Sequence, residues 1–155
     1  MARAFTFPGQ GSQTVGMGKD LADTYKAARE LFQEVDEALQ QNLSRLMWAG
    51  PPEELQLTEN AQPALMAVSM AIMKVLEKEV GFNLASKVKW VAGHSLGEYS
   101  ALAAAKTMSV ADTARLLKLR GNPCKRPCRS VRALWPLFWG LNWTRPRPPP
   151  PRARR

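Results

Sequence analysis

Trp90-Val91-Ala92-Gly93-His94-Ser95-Leu96-Gly97-Glu98-Tyr99-Ser100-Ala101 is the stretch on which the reading of this chain turns. Residues 87–92 read as a strand, and residues 95–106 read as a helix built from small residues that pack close to a sheet. Gly93 to Gly97 match G-x-S-x-G in the context where that motif has a mechanism, a strand turning sharply into a helix. Glycine at 93 and 97 lets the backbone reverse without Cβ clashes and pushes the Ser95 hydroxyl out at the helix N-terminus. There the unpaired N–H groups and the helix dipole favour a developing oxyanion. On the motif alone two readings of Ser95 stand side by side, a nucleophile on an elbow and a plain helix cap.

Upstream, Ala4-Phe5-Thr6-Phe7 reads as a short buried strand that runs into the loop Pro8-Gly9-Gln10-Gly11-Ser12-Gln13. By itself this loop reads as a tight turn or as part of a site, with two glutamine amides able to donate hydrogen bonds. Apolar residues at Leu21, Tyr25, Ala28, Phe32, Val35 and Leu39 predict one long amphipathic helix over 19–41. A short helix over 43–49 ends at Gly50-Pro51-Pro52. Thr58 is placed to cap the next helix, with Pro63 in or near its first turn, and residues 64–80 are apolar almost all round, as expected of a central, buried helix. Gly81 follows as its left-handed cap. The last helix, over 109–120, opens on Ser109 with Asp112 three residues on. Strand, helices, strand, tight turn and helix form an α/β pattern, with helices covering a mostly parallel sheet of which two strands are visible.

Charge divides the chain in two. Nine of the 22 Lys and Arg, and none of the 13 Asp and Glu, lie in residues 122–155, so the first 121 residues balance and the net charge of +9 sits in the tail. The body therefore has no basic footprint for nucleic acid, although the whole-chain pI is 10.1. The longest apolar runs, at 64–73 and 134–143, are about half of the ~20 residues a bilayer span needs. The N-terminus has no signal-peptide pattern, so a cytoplasmic location is expected. No nucleic-acid or membrane partner is implied.

Residues 122–155 lose all periodicity and collect Arg, Pro, Trp and both cysteines. We read them as an out-of-frame or disordered basic tail, the rival being a natural Pro/Arg segment that binds acidic surfaces or RNA. Cys124 and Cys128 lack a second Cys/His pair and make a poor zinc site, and no metal is expected.

Taken together, Phe7-Pro-Gly-Gln-Gly-Ser-Gln13, Thr58-Glu-Asn-Ala-Gln-Pro-Ala-Leu65 and Gly93-His-Ser-Leu-Gly-Glu-Tyr-Ser-Ala101 resemble the malonyl-CoA:acyl carrier protein transacylases, acyltransferases of type II fatty acid synthesis. The resemblance runs from residue 2 to 122. It implies that this chain is the N-terminal part of the family's large α/β subdomain. By it, Ser95 is the nucleophile that takes malonyl from coenzyme A, and acyl carrier protein is the acceptor, in ping-pong chemistry. The oxyanion hole falls to the backbone N–H groups of Gln10 and Leu96. Arg120 corresponds to the arginine that grips the free carboxylate of malonyl, whereas its residue type and position alone suggest a solvated cation in the last turn of a helix. Gly93, His94 and Gly97 belong to the elbow. The coenzyme A thioester is substrate, and no cofactor is implied.

Two elements of the family pattern are unmatched. The family's catalytic histidine lies far downstream, and the one histidine here, His94, is beside Ser95 in sequence and badly placed to reach its hydroxyl. The small ferredoxin-like subdomain and the remaining strands also have no counterpart. Weak activity or none is therefore expected of this chain. The alternative expectation is a non-catalytic fragment that binds acyl carrier protein or another acidic partner. Acyltransferase domains of polyketide synthases, which share the Gly-His-Ser-x-Gly run, are a third.

Overall fold

The computed structural model describes residues 3–122; what the sequence suggests for residues 123–155, including both cysteines, lies outside them. The elements are β1 (Ala4–Phe7), α1 (Lys19–Thr24), α2 (Lys26–Leu39), α3 (Leu43–Ala49), α4 (Pro52–Gln56), α5 (Thr58–Glu79), α6 (Leu84–Lys87), β2 (Trp90–Gly93), α7 (Leu96–Ala104) and α8 (Val110–Gly121). β1 and β2 pair in parallel, with Ala4 opposite Trp90 and Phe7 opposite Gly93. The ladder continues past the strand ends, where Lys89 N–H donates to Arg3 O and His94 N–H donates to Phe7 O.

The core lies among the helices. Phe32 and Val35 of α2, Leu43 and Met47 of α3, Leu55 of α4, Met66 of α5, Leu96 of α7 and Leu117 of α8 are all buried to within 2% of full enclosure. The strands are less covered than expected of buried ones. Of β1 only Phe7 is enclosed, and Trp90 at the start of β2 is 62% exposed.

Four local expectations need correction. The single helix over 19–41 is two helices, because Tyr25 takes an extended conformation (φ −116°, ψ 121°) and serves both as end of α1 and start of α2. Arg29 makes this break possible: its Nε and Nη2 donate to the Ala22 and Asp23 carbonyls left open at the end of α1. The strand over 87–92 begins later and ends one residue later, at Trp90–Gly93, because residues up to Lys87 belong to the short helix α6, which Asn83 caps by accepting from Ser86 N–H. The central helix starts at Thr58, so Thr58 is its first residue, not its cap, and Pro63 sits inside it. Only the first half of α5 is enclosed all round: Asn60 to Ala67 are buried, whereas Ile72 is 44% exposed. α4 was not anticipated.

Other expectations hold. β1 and α3 have the limits that the sequence suggests. Ser109 caps α8 by accepting from Asp112 N–H, and its hydroxyl donates to the Asp112 carboxylate. That hydrogen bond, helped by Arg115, holds the Asp112 carboxyl below its ordinary range. The stability it lends is present above the unfolded-chain value and fades as pH falls through the lowered one.

What joins the strands to the helices is a close approach at the elbow. A Cβ on Gly97 would stand 2.3 Å from Phe7 O and 2.7 Å from Pro8 O, and one on Gly93 would stand 1.9 Å from the Gly97 carbonyl carbon. These neighbours are backbone and cannot swing aside. Gly97→Ala should therefore lower stability by about 2 kcal/mol or more, read as a drop in the urea midpoint; an unchanged midpoint would show that α7 can move off β1 at no cost.

Candidate active site

Ser95 stands between β2 and α7 with φ 57° and ψ −109°, a conformation that costs a non-glycine residue about 1–3 kcal/mol and that only its surroundings can enforce. The enforcing contacts are at hand. His94 N–H donates to Phe7 O at 3.1 Å, His94 O accepts from Gly97 N–H at 2.9 Å, and the two glycines close the turn. The Ser95 side chain makes no capping hydrogen bond to α7. Its Oγ instead accepts from Arg120 Nη2 at 2.9 Å. The plain-cap reading of Ser95 thus fails on geometry.

Arg120, in the last turn of α8, is held on three sides. Its Nη1 donates to Gln62 Oε1 at 2.8 Å, its Nη2 to Ser95, and its Cζ lies 5.6 Å from the centre of the Tyr99 ring. A freely solvated cation has no such partners. α8 reaches this place because Gly121, the next residue, has no side chain: a Cβ there would stand 2.4 Å from Glu59 Cα at the start of α5. A part-buried polar cluster pins the same junction. Lys118 Nζ donates to Gln41 Oε1 and to Asn60 Oδ1, and Asn60 Nδ2 donates to Glu54 O.

The structure brings Ser95, Gly93, His94, Gly97, Leu96 and Arg120 together around one turn. Leu96 is buried, and its N–H makes no hydrogen bond among the described residues. Gln10 lies in the exposed loop after β1, and its N–H is likewise without a partner among them. The other loop glutamine, Gln13, is committed: its Nε2 donates to Gln56 Oε1 and its Oε1 accepts from Gly11 N–H, tying the loop to α4. His94 lies over the loop, its Nδ1 standing 2.5 Å from where a Gly9 Cβ would be, and makes no bond to Ser95. Among the described residues no carboxylate or imidazole hydrogen-bonds to Ser95. Glu77, held below its ordinary range by the Lys106 ammonium, is hydrogen-bonded to that lysine and, among the described residues, not to Ser95 or Arg120.

Gln62 and Tyr99 are site residues that sequence reasoning missed. Both lie in the segments quoted for the resemblance, and Tyr99 is four residues after Ser95 on α7, the spacing that puts two side chains on one helix face. Beside the turn, a depression at the C-terminal ends of the strands is lined by Thr6, Phe7, Pro8, Ala92, Gly93 and His94. This is the end of a parallel sheet where α/β folds bind ligands.

A strand, a glycine-closed elbow and a serine facing a fixed guanidinium define the class: an α/β protein of the elbow type. Over residues 4–132 the chain matches the acyl transferase domain, and it belongs to that family. It is 50% identical over 118 residues to the malonyl CoA-acyl carrier protein transacylase of Bacillus subtilis, which covers 76% of this chain and 36% of that protein. The acyl-carrier-protein-S-malonyltransferase of Bartonella henselae superposes with a TM-score of 0.77 at 62% identity, over 79% of this chain and 38% of that one. A malonyl-transacylase solved in complex with a type II polyketide acyl carrier protein does so with a TM-score of 0.71 at 42% identity. The chain therefore spans little more than a third of the length of these relatives. Its two-stranded parallel sheet and covering helices are a partial large subdomain of their α/β fold.

One serine near the elbow is a liability rather than an asset. Ser100 is fully buried and its Oγ has no hydrogen-bond partner. Ser100→Ala should be neutral or raise stability by up to about 1 kcal/mol, measured by urea unfolding; a clear loss would reveal an ordered water serving that hydroxyl.

Proposed function

We propose that this chain carries the acyl-accepting part of an [acyl-carrier-protein] S-malonyltransferase of fatty acid synthesis. The observation that bears most weight is the Ser95 turn, strained, uncapped and in contact with Arg120. In this reading Ser95 Oγ attacks the thioester carbonyl of malonyl-CoA. The new C–O bond gives a tetrahedral oxyanion, which the N–H groups of Leu96 and Gln10 receive. Collapse breaks the C–S bond and releases coenzyme A, leaving malonyl as an ester on Ser95. The thiol of acyl carrier protein then attacks that ester and restores the serine. Arg120 grips the free carboxylate through a planar fork suited to paired hydrogen bonds. The scheme calls for no metal or redox group. It makes this a cytoplasmic protein acting between two soluble thioester carriers.

A serine hydroxyl needs a base to lose its proton, and such a base is worth typically 10²–10⁴-fold in rate. His94 is turned to the loop after β1, and the chain has no other histidine. The chain by itself is accordingly a slow or inactive transferase. Support for malonyl over other acyl groups comes from Arg120 and from the named relatives.

Incubated with radiolabelled malonyl-CoA, the purified chain should form a malonyl ester slowly, at Ser95 only, and exogenous imidazole should speed its formation. Ser95→Ala should remove the label. Label absent with and without imidazole would sink the acyl-enzyme reading, and rapid transfer to acyl carrier protein by the chain alone would sink the claim that its base is missing.

A further inference from the structure

We infer that Gln62 is the positioning residue that aims Arg120, and through it sets the preference for a thioester ending in a free carboxylate over one ending in a methyl group. The inference rests on the reading of Arg120 as the carboxylate grip. It starts from what an arginine in that position lacks. Arg120 is at the exposed end of α8, and its long side chain loses rotamer freedom when it is fixed in one place. Something has to hold it there before substrate arrives.

Of its three partners, two are unsuited to that task. Ser95 Oγ, at 2.9 Å, is the atom that becomes an ester, so this hydrogen bond weakens when the carboxylate must be held. The Tyr99 ring, 5.6 Å from Cζ, attracts the cation but leaves the guanidinium free to rotate in its own plane. Gln62 alone gives a direction in the plane. Its Oε1 takes one N–H of Nη1 at 2.8 Å and does not compete for the other donors of the fork, of which Nη2 reaches Ser95. Gln62 is 6% exposed and sits in the enclosed first half of α5, so the core fixes its position.

The residue type also fits. A carboxylate at 62 would hold the guanidinium as well or better, but would neutralise the charge needed for an anionic substrate. An amide accepts the hydrogen bond without cancelling that charge. A buried, neutral acceptor on a cation is therefore the arrangement of an anion-binding arginine, in contrast to the ion pair of a structural one.

The test measures binding without chemistry, in the full chain carrying Ser95→Ala, by calorimetric titration with malonyl-CoA and with acetyl-CoA. The parent should prefer malonyl-CoA by about tenfold or more, the range of a charge-assisted hydrogen bond. Gln62→Met, which removes the acceptor at similar volume, and Gln62→Glu, which keeps the acceptor and neutralises the cation, should both bring the preference to within about twofold, with acetyl-CoA affinity unchanged. A merely structural role would weaken both ligands alike, and that result would overturn the proposal. So would a preference retained in both Gln62 variants but lost in Arg120→Ala, which leaves the function of Arg120 intact. No preference in the parent would overturn the carboxylate reading of Arg120, and the role of Gln62 with it.

Discussion

The absence of a side chain at two positions holds this structure together. Gly97 lies so near the Phe7 and Pro8 carbonyls, and Gly93 so near the Gly97 backbone, that one added methyl group at either would meet main chain, which cannot give way. The close approach fixes the angle at which α7 leaves β2. That angle forces Ser95 into a positive-φ conformation, in which its hydroxyl makes no hydrogen bond to the helix it precedes. Packing supplies what local preference opposes, which is how strained residues persist in folded chains.

A second junction completes the site from the other side. The start of α5 carries Asn60 and Gln62 into a buried position where apolar residues would be the cheaper choice. Both are satisfied from α8, by Lys118 and Arg120. The polar groups therefore make the contact between two helices specific in register, since a shift of one residue would leave buried amides without partners. Long-range order and site geometry share the same hydrogen bonds.

Much of the fold was legible because its signals are local. The strand at Ala4–Phe7, the helix at Leu43–Ala49 and the cap at Ser109 each depend on neighbouring residues. The break at Tyr25 was invisible because the apolar spacing continues across it, and only the folded position of Arg29 shows what serves the interrupted carbonyls. Pro63 is read in or near a first turn, where proline is best tolerated, and it lies just beyond it, inside α5 and fully buried in the core. The elbow was readable as a motif, but Gln62 was not readable as a partner of Arg120. Glutamine in an apolar run has no distinguishing spacing, and a contact 58 residues away leaves no periodic trace.

Those sequence separations bear on how the molecule assembles. Arg120 finds Gln62 across 58 residues and Ser95 across 25, so both bonds wait on the docking of a single helix at the end of the described chain. Contacts of that span carry a loop-closure cost that neighbouring contacts escape. The turn at Ser95 can form with β1, β2 and α7 alone, but the guanidinium arrives only with α8. Partial opening that releases α8 would thus dismantle the site while the rest of the helical core still stands, and amide exchange in α8 would report on competence before any global probe of unfolding moved.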